Sequence, residues 1–204
     1  MDNQTYLNQI SASVAPPQKP KSGIFSSMYF KLGAVAVVAL ILIIIVGNIL
    51  GGNKGDLKTR TAELKLRLDN TVSVISDYQP KVKSSTLRSN SASLYGVLSG
   101  ASLDLSTYLT EKYNFKEKDL SKKITEQATL EKEGLESELF EAKINGRLDR
   151  IYAHKMAYEI SVISSKAASL LKSAKDEDFK LMLDKFITSL DNLYNKFNDF
   201  TEGE

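Results

Sequence analysis

Residues 176–200, DEDFKLMLDKFITSLDNLYNKFNDF, place Phe179, Leu183, Phe186, Leu190, Leu193, Phe197 and Phe200 at successive steps of three or four. Residues three and four apart share a helix face, so this spacing predicts an amphipathic helix with one apolar stripe. The opening Asp176, Glu177 and Asp178 suit a first helical turn, where carboxylates meet the positive end of the helix dipole. A stripe of this width cannot bury itself, so the helix requires partners of the same kind.

Four such partners precede it. Asp56 to Asp77 puts Leu57, Leu64, Leu68, Val72 and Ile75 on one stripe and ends before Pro80. Ser84 to Tyr113 carries Leu87, Leu94, Val97, Leu98, Ala101, Leu105, Tyr108 and Leu109, with Lys112 in the last turn and Asn114 just beyond as an end signal. Lys118 to Lys143 carries Leu120, Ile124, Ala128, Leu135, Leu139 and Ala142; Gly134 weakens it midway and Asn145 and Gly146 break it. Arg147 to Ser173 shows Leu148, Ile151, Tyr152, Met156, Val162, Ile163, Ala167 and Leu170. Period-two alternation is nowhere sustained, so the fold class is all-α. Short connections between long amphipathic segments imply antiparallel neighbours in a four- to five-helix bundle with coiled-coil style packing. The first helix either joins the bundle or stands as a stalk beneath the other four.

Upstream, Leu32 to Asn53 runs without a charge between Lys31 and Lys54. As a helix these 22 residues rise about 33 Å, enough for a hydrocarbon core of about 30 Å. Residues 28–53 are therefore expected to form an uncleaved transmembrane anchor in contact with the lipid bilayer, since the run is too long for a signal-peptide core. Residues 1–27, with Pro16, Pro17 and Pro20, are expected to be a disordered tail, and residues 54–204 the bundle. Basic residues flank both ends of the anchor; long domains translocate largely regardless of charge, which favours a cytoplasmic N-terminus and an extracytoplasmic bundle. Gly47 and Gly51 form a GxxxG pair at the anchor's edge, where a loosened exit is the simpler reading.

The net charge is +2, and residues 54–204 hold 24 basic and 24 acidic side chains, a balance that argues against a nucleic-acid partner. Cysteine is absent, which removes disulfides, thiolate catalysis and Cys-based metal sites. A bundle metal centre of the ferritin kind draws Glu from facing helices and repeats Glu-x-x-His on two of them. Here the single histidine, His154, follows Ile151 by three and is expected on the solvated side. Glu159 falls beside the apolar stripe; a buried carboxylate needs a basic partner, a rim position or a ligand. The acidic group Glu131, Glu133, Glu136, Glu138 and Glu141 reads as a solvated face. Glu138, Glu141 and Glu159 are the candidate metal ligands should the bundle hold a cation; otherwise neither metal, cofactor nor catalytic residues are expected. No G-x-S-x-G elbow or phosphate-binding glycine loop occurs, and GVLSG at Gly96 to Gly100 is expected to permit close helix packing.

The string NGRLDRIYAHKMAYE, Asn145 to Glu159, resembles a stretch in a ferritin-like family of bacterial envelope proteins of unknown function. Gly146, Leu148, Asp149, Arg150, Tyr152 and Met156 match, with Glu159 at the family's acidic position; SLDNLYNKF, Ser189 to Phe197, is similar to its closing motif. Where the pattern carries histidine this chain has Ile160 and Lys196. The resemblance implies a ferritin-like bundle, degenerate at its metal-binding positions. The layout is also similar to single-anchor membrane proteins of small-genome bacteria. The expected function is a non-enzymatic structural or protein-interaction module at the cell envelope, with an unknown protein partner and self-association both open. A carboxylate-based metal or redox bundle and an extracytoplasmic sensor acting through a partner are the alternatives.

Overall fold

The computed structural model describes residues 56–201. The expected tail, the anchor at 28–53 and its glycines lie outside the described residues. Among the described residues no helix is long and apolar enough to cross a membrane.

Five α-helices form, and no strand is present among the described residues: α1 (Leu57–Tyr78), α2 (Ser85–Tyr113), α3 (Lys122–Ile144), α4 (Leu148–Ser173) and α5 (Glu177–Asn198). The chain's own side chains set most boundaries. Asp56, Ser84, Ser121 and Asp176 are extended N-cap residues whose side-chain oxygens accept from the backbone N–H groups of Thr59, Leu87, Ile124 and Phe179. Asn114 ends α2 in the left-handed region at φ 46°. Gly146 ends α3 at φ 68°, and Arg147 N–H reaches back to the Ala142 carbonyl. The third helix starts later than the spacing predicts, because Glu117–Asp119 form a separate 3-10 turn and Ser121 is the cap.

Helices α1, α2, α5 and α4 make a ring in which each packs on the next, and α4 closes it directly on α1. Helix α3 lies outside the ring, against α1 and α4. The chain thus forms two helical hairpins, α1–α2 and α4–α5, joined by a crossover in which α3 travels the length of the bundle. Neighbours in the ring run antiparallel.

The core follows the predicted stripes on α2, α4 and α5: Leu94, Leu98, Leu105, Tyr152, Met156, Ile163, Leu183, Leu190 and Phe197 are buried. Of the two arrangements open to α1, it joins the bundle: between Leu57 and Ile75 none of its residues is exposed, because α2, α3 and α4 surround it. Its polar residues are accommodated by pairing: Thr61 and Thr71 donate to the Leu57 and Arg67 carbonyls, and Asp69 accepts from Lys65 and from Ser102. In α3, by contrast, only Leu139 and Ala142 are buried; Ile124, Ala128 and Leu135 are half-covered, and Leu130, Phe140 and Ile144 face outward. Gly96 and Gly100 do not bring helices close, since a Cβ at either would meet open space.

At one end of the ring Tyr108 stacks on Phe179, ring centroids 3.8 Å apart, with Tyr113 edge-on to Tyr108, and Arg60 bridges to the Ser169 and Ser173 hydroxyls at 2.6 and 3.0 Å. At the other, Asp149 accepts from the backbone N–H groups of Lys83 and Ser84, with the closest contact 2.7 Å. The first turn of α4 therefore holds the α1–α2 connection.

Candidate functional site: the seam between the third helix and the ring

The seam is organised by one arginine. Arg67, on α1, donates from Nε and Nη2 to the two carboxylate oxygens of Glu159 on α4, each at 3.0 Å, and from Nη1 to Glu131 of α3 at 2.7 Å. A planar guanidinium suits this forked geometry, which ties three helices at one point. Glu159 is 8% exposed. Burial pushes its carboxyl above the ordinary value, while Arg67 pulls in the opposite direction and the nearby Glu131 charge adds to the rise.

The remaining links along the seam are also polar. Lys155 pairs with Glu138, and Lys65 reaches Glu117 at 3.2 Å. The Asn70 amide donates to the Ala128 carbonyl at 3.0 Å, and the Tyr78 hydroxyl to the Glu136 carbonyl at 2.9 Å. Pairs with an exposed member, such as Lys155 with Glu138, contribute from nothing to about 1 kcal/mol each. The Arg67–Glu159 pair differs, because stranding either charge in this half-dry seam costs several kcal/mol.

The candidate ligands Glu138, Glu141 and Glu159 are not brought together. Glu159 is held by Arg67, Glu138 by Lys155, and Glu141 is exposed, its backbone carbonyl accepting from Asn145. Among the described residues no group of three or more His, Asp or Glu side chains is placed to hold a metal ion. His154 is on the solvated side as expected, at the rim of a shallow hollow of about 350 Å³ with Arg150, Ile151 and Phe197. Ile160 is core and Lys196 exposed, so the two positions where the resembled pattern carries histidine are separated by the helix surface. Tyr152 lies at the centre of the ring, its hydroxyl near that of Ser91 but without a hydrogen bond of ordinary geometry among the described residues; burial raises it to about 12, and Ser91 pulls weakly the other way.

The sequence leaves Glu159 a basic partner, a rim position or a ligand; the structure gives it a basic partner, Arg67, that the sequence does not single out. Arg67 stands inside a helix with many polar side chains, and the signal that identifies it is the pairing across 92 positions of sequence. Asp149 enters the sequence reading only through the resemblance; in the structure it holds the Lys83–Ser84 backbone. Compared with family models, curated proteins and solved structures, the chain matches none.

Proposed function

We propose that this chain is a single-pass membrane protein whose helical bundle is a non-catalytic structural or protein-interaction module at the cell envelope. The observation that carries the reading is the polar seam: Glu159, the one buried acid among the described residues, is paired with Arg67, and the chemistry concentrated there joins helices. The charge-free run from Leu32 to Asn53 supports the anchor. The connectivity, two antiparallel hairpins with one length-spanning crossover, is that of ferritin-like bundles and supports that class for the fold. In this reading the ferritin-like frame is retained with its metal-binding positions given over to packing and ion pairing.

The absence of cysteine permits a direct test. A Thr201→Cys full-length chain should stay in the membrane fraction through alkaline carbonate washing and react with an impermeant maleimide in intact cells. Release by carbonate would remove the anchor, and labelling only after lysis would reverse the topology. Equilibrium dialysis of the detergent-solubilised chain against Fe²⁺ or Zn²⁺ should give less than one bound ion per chain. Stoichiometric binding lost in Glu159→Ala would instead establish a carboxylate metal bundle.

A further inference from the structure

We infer that the groove between α1 and α4 is a docking site for an acidic amphipathic helix of a protein partner, and that α3 is its resident, displaceable occupant. This inference rests on the interaction-module reading above and names the partner's chemistry.

The ring does not need α3 to close. Helix α1 packs directly on α2 and α4, and α5 packs directly on α2 and α4. Helix α3 adheres by two buried apolar side chains, Leu139 and Ala142, both near its C-terminal end, with half-buried Leu135 packed against the same core. Farther upstream Ile124 and Ala128 are only half-covered, and the specific links are polar. Gly134, in its middle, faces open space and weakens the helix without serving a contact.

The groove reads an acidic helix. Lys65, Arg67 and Lys155 present three cations along it: Lys65 meets Glu117 in the turn ahead of α3, and Arg67 and Lys155 meet Glu131 and Glu138 of α3 itself. The last two are seven residues apart, hence on one face of a helix. Asn70 and Tyr78 donate to main-chain carbonyls, contacts that any helix in this position offers. The recognised pattern is therefore small or apolar residues at the positions of Ala128, Leu135, Leu139 and Ala142, with carboxylates at those of Glu131 and Glu138.

Displacement strands no buried charge. When α3 leaves, Arg67 keeps both of its bonds to Glu159, and Lys155, Asn70 and Tyr78 gain water. An incoming acidic helix with the same pattern restores the links to Arg67, Lys155, Asn70 and Tyr78. Charge complementarity selects it, since a basic helix would meet Lys65, Arg67 and Lys155.

The test uses the full chain in detergent and a fluorescein-labelled synthetic peptide of residues 122–144. Amide exchange should show residues 122–138 protected at least a hundredfold less than the centres of α4 and α5. Glu131→Lys with Glu138→Lys in the chain should loosen the resident helix and raise peptide affinity at least tenfold, while a peptide carrying the same two changes should not bind. As a second variant, Asn70→Cys with Ala128→Cys should block the peptide when oxidised and admit it when reduced. Equal protection of α3 and α4, or no gain in peptide binding by a variant whose ring amides stay protected, would overturn the inference. The membrane and metal assays above read residues 28–53 and Glu159, so either can fail without moving this titration.

Discussion

Helices α5 and α3 are nearly equal in length, 22 and 23 residues, and both carry an apolar repeat, yet α5 buries six side chains and α3 two. In α5 every stripe position is Phe or Leu, and the charges keep to the other face, so the stripe enters the ring whole. In α3 the inward face interleaves Glu131 and Glu138 with smaller side chains, and it meets a groove whose floor is already closed by α1 against α4. Apolar area decides where α5 goes, whereas charge and main-chain hydrogen bonds decide where α3 goes. The difference is between a helix that makes the core and one that is applied to it.

The sharpest break in this comparison comes from Phe197→Ala, which empties a fully buried site in α5 and should lower global stability by about 3–5 kcal/mol in denaturant unfolding. A loss below about 1 kcal/mol would mean that α5 is applied as loosely as α3. Next is Arg67→Ala, which strands Glu159 and should cost about 3 kcal/mol, the low end for a buried pair because the two side chains are 15% and 10% exposed. Adding Glu159→Leu should recover most of that loss; failure to do so would show that Arg67 acts mainly through Glu131 and α3.

Tyr152→Phe removes the unpartnered hydroxyl at the ring's centre and should raise stability by about 1 kcal/mol. Destabilisation would show that the hydroxyl is bonded, to Ser91 or to an ordered water. Glycine replacements separate the two regions by location. Gly100→Ala in α2 should add about 0.5–1 kcal/mol to global stability, while Gly134→Ala should act on α3 alone, slowing amide exchange at residues 122–138 without moving the denaturation midpoint.

The smallest effect is in the pH profile. Glu159 holds its proton more tightly in the folded chain than in the unfolded one, so it adds stability that is complete below the ordinary carboxylate range and lost as pH rises through its raised value. The capping residues Asp56 and Asp176 run the other way. Hydrogen bonds from Thr59 and Phe179 lower them, and their contribution, present above the ordinary range, is lost as pH falls through the lowered values. Between about pH 4 and 7, Glu159→Gln should therefore gain on the parent chain in unfolding midpoint as pH rises. A constant difference would remove Glu159 as the source.

Local chemistry made much of the fold legible. Stripes of Leu and Phe located α2, α4 and α5, and Asp56, Ser84, Asn114, Asp176 and the Asn145–Gly146 pair marked their limits, because caps and side-chain periodicity act within one or two turns. The candidate site was legible only in half: Glu159 stood out as a carboxylate on an apolar stripe, but its partner did not. The position of helix α1, in the bundle or beneath it, stays open in the sequence for the same reason. Lysine, arginine and asparagine give it many polar side chains, and their placement depends on partners in the turn before α3, in α3 and in α4 that lie 52 to 113 residues away.

The sequence by itself determined that the described chain is helical, where α1, α2, α4 and α5 begin and end to within a residue or two, and which faces of α2, α4 and α5 turn inward. Only the tertiary structure decided that α1 is enclosed, that α3 is the crossover outside the ring, and that Arg67 joins three helices. Periodicity reports which face of a helix is apolar. Which helix occupies the centre follows from how the charges of separate helices meet, and that pairing exists only once the chain has folded.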